Sequence, residues 1–146
     1  MKIICHRGNT FGPDPENENK VEVIEYCIRQ GFDVEIDLWM VDGDLFLGHD
    51  KPQYQVDWDY LRHRKANLWV HAKNFQAITA LNNYYLNFFW HEDDKYAITS
   101  HKYIWTHPNT FDIHHSHQQV LLDFSPSVDF DFYRRAGVAG VCVDYV

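Results

Sequence analysis

Seven side chains capable of proton transfer, cation binding or anion binding follow apolar runs in the first half of the chain. They are His6, Arg7, Glu35, Asp37, His49, His71 and Lys73. Glu35 and Asp37 lie two residues apart in the segment VEIDL, so their side chains leave the same face of an extended strand. Like charges on one face repel each other without a cation, so the pair predicts a divalent-cation site, with Mg²⁺ or Ca²⁺ expected because both prefer oxygen ligands. Replacing either carboxylate is therefore expected to abolish cation binding at little cost in stability.

The remaining polar side chains at these positions suit phosphate chemistry. His6 and His49 can act as a general acid and a general base, since histidine changes its charge near neutral pH. Arg7 and Lys73 supply positive charge for an anion, most naturally a phosphate.

Each of these features alone also has a purely structural interpretation. A histidine at the end of a strand is often hydrogen-bonded without being catalytic, and the pattern E-x-D is common on strands that face solvent. What favours a functional site is their joint placement at the ends of predicted strands.

Alternating strands and helices are predicted to position these residues. Apolar residues at helical spacing predict helices over residues 19–30, 57–65, 74–85 and 129–137, with Asp57 and Asn74 as N-caps. Extended apolar runs predict strands over residues 2–8, 32–40, 44–50, 67–73, 87–91, 95–100, 102–108, 118–124 and 138–146. Asp42-Gly43 predicts a hairpin turn. Residues 109–117 are predicted to form a loop, and a metal-binding role for its HHSH motif at 114–117 is the alternative.

Strand–helix alternation is typical of parallel βαβ units. We therefore predict an α/β fold, a compact, helix-poor (β/α) TIM-type barrel that forms one domain over residues 1–146. Such barrels typically take ~250 residues, so this one is expected to lack several outer helices. The C-terminal ends of the strands of a barrel converge on one face, where the polar residues above would meet.

The composition excludes several functional classes. A formal net charge of −8 argues against binding nucleic acid or an anionic membrane surface. The three cysteines, Cys5, Cys27 and Cys142, are widely spaced, which is typical of reduced thiols and favours a cytoplasmic location. The first apolar run stops at Cys5, too early for a signal peptide, and no run reaches the ~18 residues of a membrane span.

The order of four motifs resembles that of the glycerophosphodiester phosphodiesterase family. These motifs are HRG at 6–8, EN at 18–19 ahead of a helix, VEIDL at 34–38 and DGDLFLGHD at 42–50. The resemblance is specific over residues 3–50 and weaker beyond. It implies a phospholipase-C-like phosphodiesterase barrel of a short bacterial or phage type, a divalent cation and a small phosphodiester substrate.

The resemblance also implies roles for individual residues. His6 and His49 match the two acid/base histidines, Arg7 and Lys73 match groups that bind the substrate phosphate, and Glu35 and Asp37 match metal ligands. Glu18 matches a further glutamate of the metal site, for which Glu16 is a rival with a longer spacing to Gly31. Trp105, in the segment YIWTHP, matches an aromatic residue beside the substrate, although a role in the core is the alternative.

One departure from the family pattern affects the metal. His71 stands two residues before Lys73, where the family has a third acidic ligand. An imidazole adds no charge and prefers softer ions, so Mn²⁺ or Zn²⁺ becomes an alternative to Mg²⁺ or Ca²⁺. Either His71 is itself a ligand or it hydrogen-bonds a carboxylate from the outer shell.

The predicted function is metal-dependent hydrolysis of a small, glycerophosphodiester-like phosphodiester. A lyase that stops at a cyclic phosphate differs only in the last step. The alternative from another class is a non-catalytic barrel that binds a phosphorylated ligand or a partner protein. The pair His6 and His49 favours the enzyme, whereas His71 in place of an acidic ligand favours the non-catalytic protein. His91, His101 and His107 follow predicted strands and either line the site or cap turns.

Overall fold

Ten strands and four α-helices form the computed structural model of this protein, which describes residues 1–108 and 110–146. The strands are β1 Lys2–His6, β2 Asp33–Val41, β3 Asp44–Leu47, β4 Tyr54–Val56, β5 Leu68–Ala72, β6 Phe88–Phe89, β7 Tyr96–Ile98, β8 Ile104–Thr106, β9 Gln119–Asp123 and β10 Gly140–Val143. The α-helices are α1 Val21–Arg29, α2 Trp58–Arg64, α3 Phe75–Leu81 and α4 Phe130–Ala136, and a 3₁₀ helix spans Ile113–Gln118. None of the described helices has both the length and the apolar character that a membrane crossing requires.

Seven of the strands run parallel, in the order β8-β9-β10-β1-β2-β5-β6. The sheet curves until its two parallel edges approach each other. Phe89 of β6 stacks on Trp105 of β8 with ring centroids 4.5 Å apart, and the Phe88 carbonyl accepts a hydrogen bond of 2.7 Å from the Ser100 amide. Among the described residues, however, no ladder pairs β6 with β8. The α/β class is confirmed, but the predicted closed TIM-type barrel is not.

Strand alternation divides the buried side chains into two layers. The concave side of the sheet holds an aromatic and aliphatic cluster, which contains Ile4, Trp69, Phe89, Ala97, Trp105, Val120 and Cys142. The convex side packs against helices α1, α2 and α3 through a larger cluster that includes Ile24, Val34, Ile36, Val70 and Leu81. The polar residues of β2 alternate with Val34, Ile36 and Leu38 as predicted, so Asp33, Glu35 and Asp37 face the concave interior.

The remaining strands are antiparallel additions. The Asp42-Gly43 turn joins β2 to β3 as predicted, with both residues at positive φ. Strand β4, which pairs with β3, was not predicted, and β7 pairs with β8 in place of a helical connection. The predicted loop at 109–117 overlaps the 3₁₀ helix Ile113–Gln118, which Asp112 caps by accepting a hydrogen bond from the His114 amide. The part of that prediction at residue 109 lies outside the described residues.

Side-chain caps start three of the α-helices. Asp57, Asn74 and Asp129 accept hydrogen bonds from the amides of Tyr60, Ala77 and Phe132. The predictions for Asp57 and Asn74 are therefore confirmed. Helix α1 begins at Val21 rather than at the predicted Asn19, because Asn19 has a φ of +64° and uses its side chain elsewhere.

Candidate functional site

A cavity of about 160 Å³ opens at the C-terminal ends of the parallel strands. Its lining includes six of the seven residues that the sequence placed at strand ends, namely His6, Arg7, Glu35, Asp37, His49 and His71. The seventh, Lys73, does not line the cavity but lies 3.4 Å from Asp37. His91, Trp105, His107, Phe89, Leu122 and Phe124 complete the lining. The convergence follows from strand register, since His6 of β1 and His71 of β5 pair with Glu35 and Asp37 of the strand between them.

Asp37 is the most heavily partnered group of the site. Its carboxylate, 1 % exposed, accepts a hydrogen bond of 2.9 Å from Asn19 and lies 3.1 Å from His71 Nδ1. Arg7 Nε and Lys73 Nζ each lie 3.4 Å from one of its oxygens. Burial alone would raise the pKa of Asp37, but the hydrogen bond with His71 and the charges of Lys73 and Arg7 outweigh it and lower that pKa. The expectation that Asp37 can be removed at little cost is therefore not supported by its surroundings.

Glu35 has a different environment although it is equally buried, at 2 % exposed. Its Oε2 accepts a hydrogen bond of 3.2 Å from the Arg7 amide and lies 4.0 Å from His6 Nε2. Burial and the neighbouring Asp37 raise the pKa of Glu35, against the smaller opposing effects of His6, His71 and Arg7. The pKa values of the two neighbouring carboxylates therefore shift in opposite directions.

Three side chains could hold a divalent cation together. Glu35, Asp37 and His71 each offer one ligand atom, and these atoms lie within 4.8 Å of one another. Two carboxylates and one imidazole form a donor set that suits Mn²⁺ or Zn²⁺ as well as Mg²⁺. Because Asp37 already contacts two cationic side chains, the site holds positive charge before any metal binds. The three donors fit a cation in type and spacing, but Arg7 and Lys73 compete with it for Asp37.

Two residues from the C-terminal part of the chain, Asp144 and Phe124, orient His6. Its Nδ1 donates a hydrogen bond of 2.9 Å to Asp144, which follows β10, and its ring stacks on Phe124 at 4.6 Å. Asn9 also donates to the same Asp144 oxygen, at 2.9 Å. Burial raises the pKa of Asp144, but the hydrogen bonds from His6 and Asn9 outweigh it and lower that pKa. A carboxylate at Nδ1 leaves Nε2 as the nitrogen available to a reacting group.

His49 has the same kind of partner on the other side of the cavity. Its Nδ1 lies 2.7 Å from Asp50 Oδ1, and its side chain is more exposed than that of His6. Burial lowers the pKa of His49, and the charges of Arg7 and Lys73 add to the effect, against the opposing influence of Asp37 and Asp50. The lowered pKa favours the neutral form of this imidazole.

Arg7 is held in a sparsely populated backbone conformation, with φ of +54°. This turn points its amide at Glu35 and its side chain at Asp37 and Glu18, whose Oε2 lies 3.1 Å from Nη1. Burial opposes the charge of Arg7, but Glu35, Asp37 and Glu18 outweigh it and raise the pKa. Glu18 also accepts a hydrogen bond from Asn9 and lies outside the three-residue metal group, so it supports Arg7 in the structure.

A row of flat side chains forms the opposite wall. His71 stacks on His91 with centroids 4.6 Å apart and an interplanar angle of 2°, and His91 meets His107 edge-on at 5.1 Å. Burial and the neighbouring His71 lower the pKa of His91. Trp105 is packed in the concave core and also lines the cavity, and its contact with a substrate stays a prediction. Neither His101 nor the HHSH motif lines the cavity in the part of the chain that the structure describes.

Sequence patterns missed the groups that position the site. Asn19 both donates to the Asp37 carboxylate and accepts from the Asp37 amide, at 2.9 Å each. Asn9 bridges Glu18 and Asp144, and Phe124 supports the ring of His6. Asn9 lies in a segment without a predicted helix or strand, and Asn19 was predicted to start a helix. No local signal connects either asparagine to Asp37 or Asp144, which are 18 or more residues away.

The fold is shared with a protein of known structure. The chain superposes on a crystal structure of glycerophosphodiester phosphodiesterase from Agrobacterium tumefaciens str. C58 with a TM-score of 0.59, over 99% of this chain and 96% of that chain. The two sequences are 13% identical, so the likeness establishes the fold. It supports the fold family that the four sequence motifs implied, while the closed barrel is not confirmed. No family model and no curated protein matches the sequence.

Proposed function

We propose that this protein is a metal-dependent hydrolase of a small phosphodiester, with His6 and His49 as its acid/base pair. One observation carries the proposal: two histidines, each with an aspartate at Nδ1, line one cavity together with Arg7 and the candidate metal ligands. Mere binding of a phosphate does not require two imidazoles that are each oriented in this way. The shared fold supports the same reaction class, because the structural neighbour is a glycerophosphodiester phosphodiesterase.

The cation would be held by Glu35, Asp37 and His71. When bound, it would supply Lewis-acid stabilisation of the charge that develops on the phosphate oxygens. Arg7 and Lys73 lie beside this group and contribute fixed positive charge for the same phosphate. The remaining steps belong to the histidines.

His49 is the base of the first step because its neutral form is favoured. It removes a proton from a substrate hydroxyl, whose oxygen attacks phosphorus, while His6 donates a proton to the oxygen of the departing alcohol. The product is a cyclic phosphate. In the second step His6 accepts a proton from water, the water oxygen attacks phosphorus, and His49 returns its proton to the ring oxygen that leaves.

The test is a panel of small phosphodiesters assayed after EDTA treatment and again with Mg²⁺, Ca²⁺, Mn²⁺ or Zn²⁺. We expect turnover only with an added cation. His6→Gln and His49→Gln should each lower kcat by about 10²–10⁴-fold. His63→Gln is the matched control, because this exposed histidine lies on α2 and its ring contacts the Asp59 carbonyl.

The non-catalytic alternative rests on a specific observation. Asp37 already has four partners, and His71 provides no negative charge for a metal. If wild-type protein binds inorganic phosphate but turns over no phosphodiester with any of the four cations, the protein is a binding protein and the hydrolase proposal is wrong. If a cyclic phosphate accumulates as the end product, the protein is a lyase.

A further inference from the structure

An apolar groove lies on the convex side of β7 and β8, away from the candidate active site. Its volume is about 430 Å³, against about 160 Å³ for the cavity at the C-terminal ends of the strands. Six residues line it, and none of them lines that cavity: Tyr96, Ile98, Ile104, Asp112, His115 and Gln119.

Strand alternation and the missing helix explain why this face is bare. Ala97 and Trp105 pack in the concave cluster, so their neighbours Ile98 and Ile104, which are paired across the ladder, face the convex side. The cluster that α1, α2 and α3 cover contains no residue of β7 or β8. Ile98 is therefore 74 % exposed and Tyr96 is 50 % exposed. Sheets of this class normally bury both faces, so the groove lacks a cover.

The polar groups around the groove already have partners within the chain. His115 lies 3.0 Å from the Asp112 carboxylate, and the Gln119 amide donates to the Asp112 carbonyl at 2.6 Å. The Tyr96 hydroxyl donates to the Thr110 carbonyl at 2.9 Å. An apolar protein surface can therefore cover the groove without leaving these groups unpaired, a condition that buried polar groups impose.

The two ends of β7 carry opposite charge. Three exposed acidic residues precede the strand, beginning at Glu92, and the exposed Lys102 follows it. Neither Glu92 nor Lys102 has an oppositely charged side chain within 4.0 Å in residues 1–108 and 110–146. A second β7 strand lying antiparallel over the first would bring the acidic end of each copy to the basic end of the other.

The spacing of these residues suits a twofold axis at Ala97. Ile98 and Tyr96 lie one residue to either side of Ala97, and Lys102 and Glu92 lie five residues to either side. Antiparallel apposition about that axis therefore sets Ile98 of one copy opposite Tyr96 of the other, and Lys102 opposite Glu92. Because each contact occurs twice, the strand is complementary to itself in both shape and charge.

We propose that this groove is the interface of a symmetric homodimer, with a second copy of the chain as the missing cover. Ile98, Tyr96 and Ile104 form its apolar centre, and two Glu92–Lys102 pairs flank that centre in the polar rim. Rim charges chiefly select the partner and its orientation, whereas apolar groups at the centre supply affinity. The interface goes beyond the proposed hydrolase function and shares no residue with its site.

The test is sedimentation velocity of the full chain from micromolar to millimolar concentration. We expect a concentration-dependent dimer, which Ile98→Lys should weaken by more than about tenfold because it places a charge in the apolar centre. Glu92→Lys and Lys102→Glu should each weaken the dimer by about tenfold, since each change converts two attractive contacts into repulsive ones. An equimolar mixture of these two charge variants should recover a heterodimer of wild-type strength, because every contact is then again between opposite charges. All three changes are at exposed positions, so the protein should fold.

Matched controls separate this face from the rest of the surface. Phe75→Lys alters a side chain on α3 that is 77 % exposed, and Lys65→Glu reverses an exposed lysine elsewhere. Neither should change the dimer. The inference is overturned if the wild-type chain stays monomeric at millimolar concentration, if Phe75→Lys weakens the dimer as much as Ile98→Lys, or if the mixed charge variants associate no better than each one alone.

Discussion

The two neighbouring carboxylates of β2 should respond in opposite ways to removal of their charge. Asp37→Asn leaves Arg7 and Lys73, which both lie within 3.4 Å of its carboxylate, without their common counter-charge. Breaking a buried ion pair typically costs 3–5 kcal/mol, and because Arg7 retains Glu18 we expect the lower end, about 3 kcal/mol. Glu35→Gln keeps an acceptor for the Arg7 amide and removes one of two repelling charges, so its free energy of unfolding should change by about 0.5 kcal/mol or less, or rise.

The measurement is urea and thermal unfolding of both variants at pH 7 in EDTA, so that no cation contributes. At roughly 2–4 °C per kcal/mol for a chain of this size, Asp37→Asn should lower the Tm by about 6–12 °C, while Glu35→Gln should stay near the wild-type value. A comparable loss in both variants, or a larger loss for Glu35→Gln, would show that the asymmetry inferred from their partners is wrong.

The pH dependence gives an independent check of the same reasoning. Folding lowers the pKa of Asp37, so its stabilising contribution is present above its unfolded pKa of ~3.9 and is lost as the pH falls through the folded value. Folding raises the pKa of Glu35, so its contribution is present below its unfolded pKa of ~4.3 and is lost as the pH rises through the folded value. The stability of Glu35→Gln relative to wild type should therefore increase between pH 4 and pH 7, and a constant difference would contradict the raised pKa.

Four further changes test the site and the fold. Asp144→Asn should lower kcat by about 10–100-fold with little effect on KM, because it removes the carboxylate that orients His6, and an unchanged kcat would exclude that role. Asp50→Asn should move the acid limb of the kcat/KM profile to lower pH, since Asp50 raises the pKa of His49; a shift to higher pH would argue against His49 as the base. His71→Glu should change metal preference towards Mg²⁺ or Ca²⁺ in titrations monitored by calorimetry, and if neither affinity nor preference changes, His71 lies outside the metal shell. Asn74→Ala should cost about 2–3 kcal/mol in urea unfolding, against about 1 for Asp57→Ala, because Asn74 caps α3 and also exchanges two hydrogen bonds with Met40; equal costs would mean that the bonds to β2 contribute nothing.

The sequence alone determined the features that depend on neighbouring residues. The alternation in VEIDL placed Glu35 and Asp37 on the concave face, because successive side chains of a strand leave opposite sides. Asp57 and Asn74 were predictable as caps since the bond each side chain accepts comes from an amide three residues ahead. The ends of β1, β2 and β5 could be expected to meet because parallel strands share an edge.

Only the tertiary structure decided which groups complete the site and whether the two parallel edges of the sheet pair with each other. His6 and Asp144 are separated by 138 residues, and their contact depends on the pairing of β1 with β10. The side chain of Asn19 hydrogen-bonds Asp37, and α1 begins two residues later, at Val21. The spacing of apolar residues along a helix carries no information about such a long-range bond. The gap between β6 and β8 likewise follows from β7, which pairs back on β8 in place of a helical crossover. Such outcomes depend on register and on the geometry of the connections, and neither is encoded within a few consecutive residues.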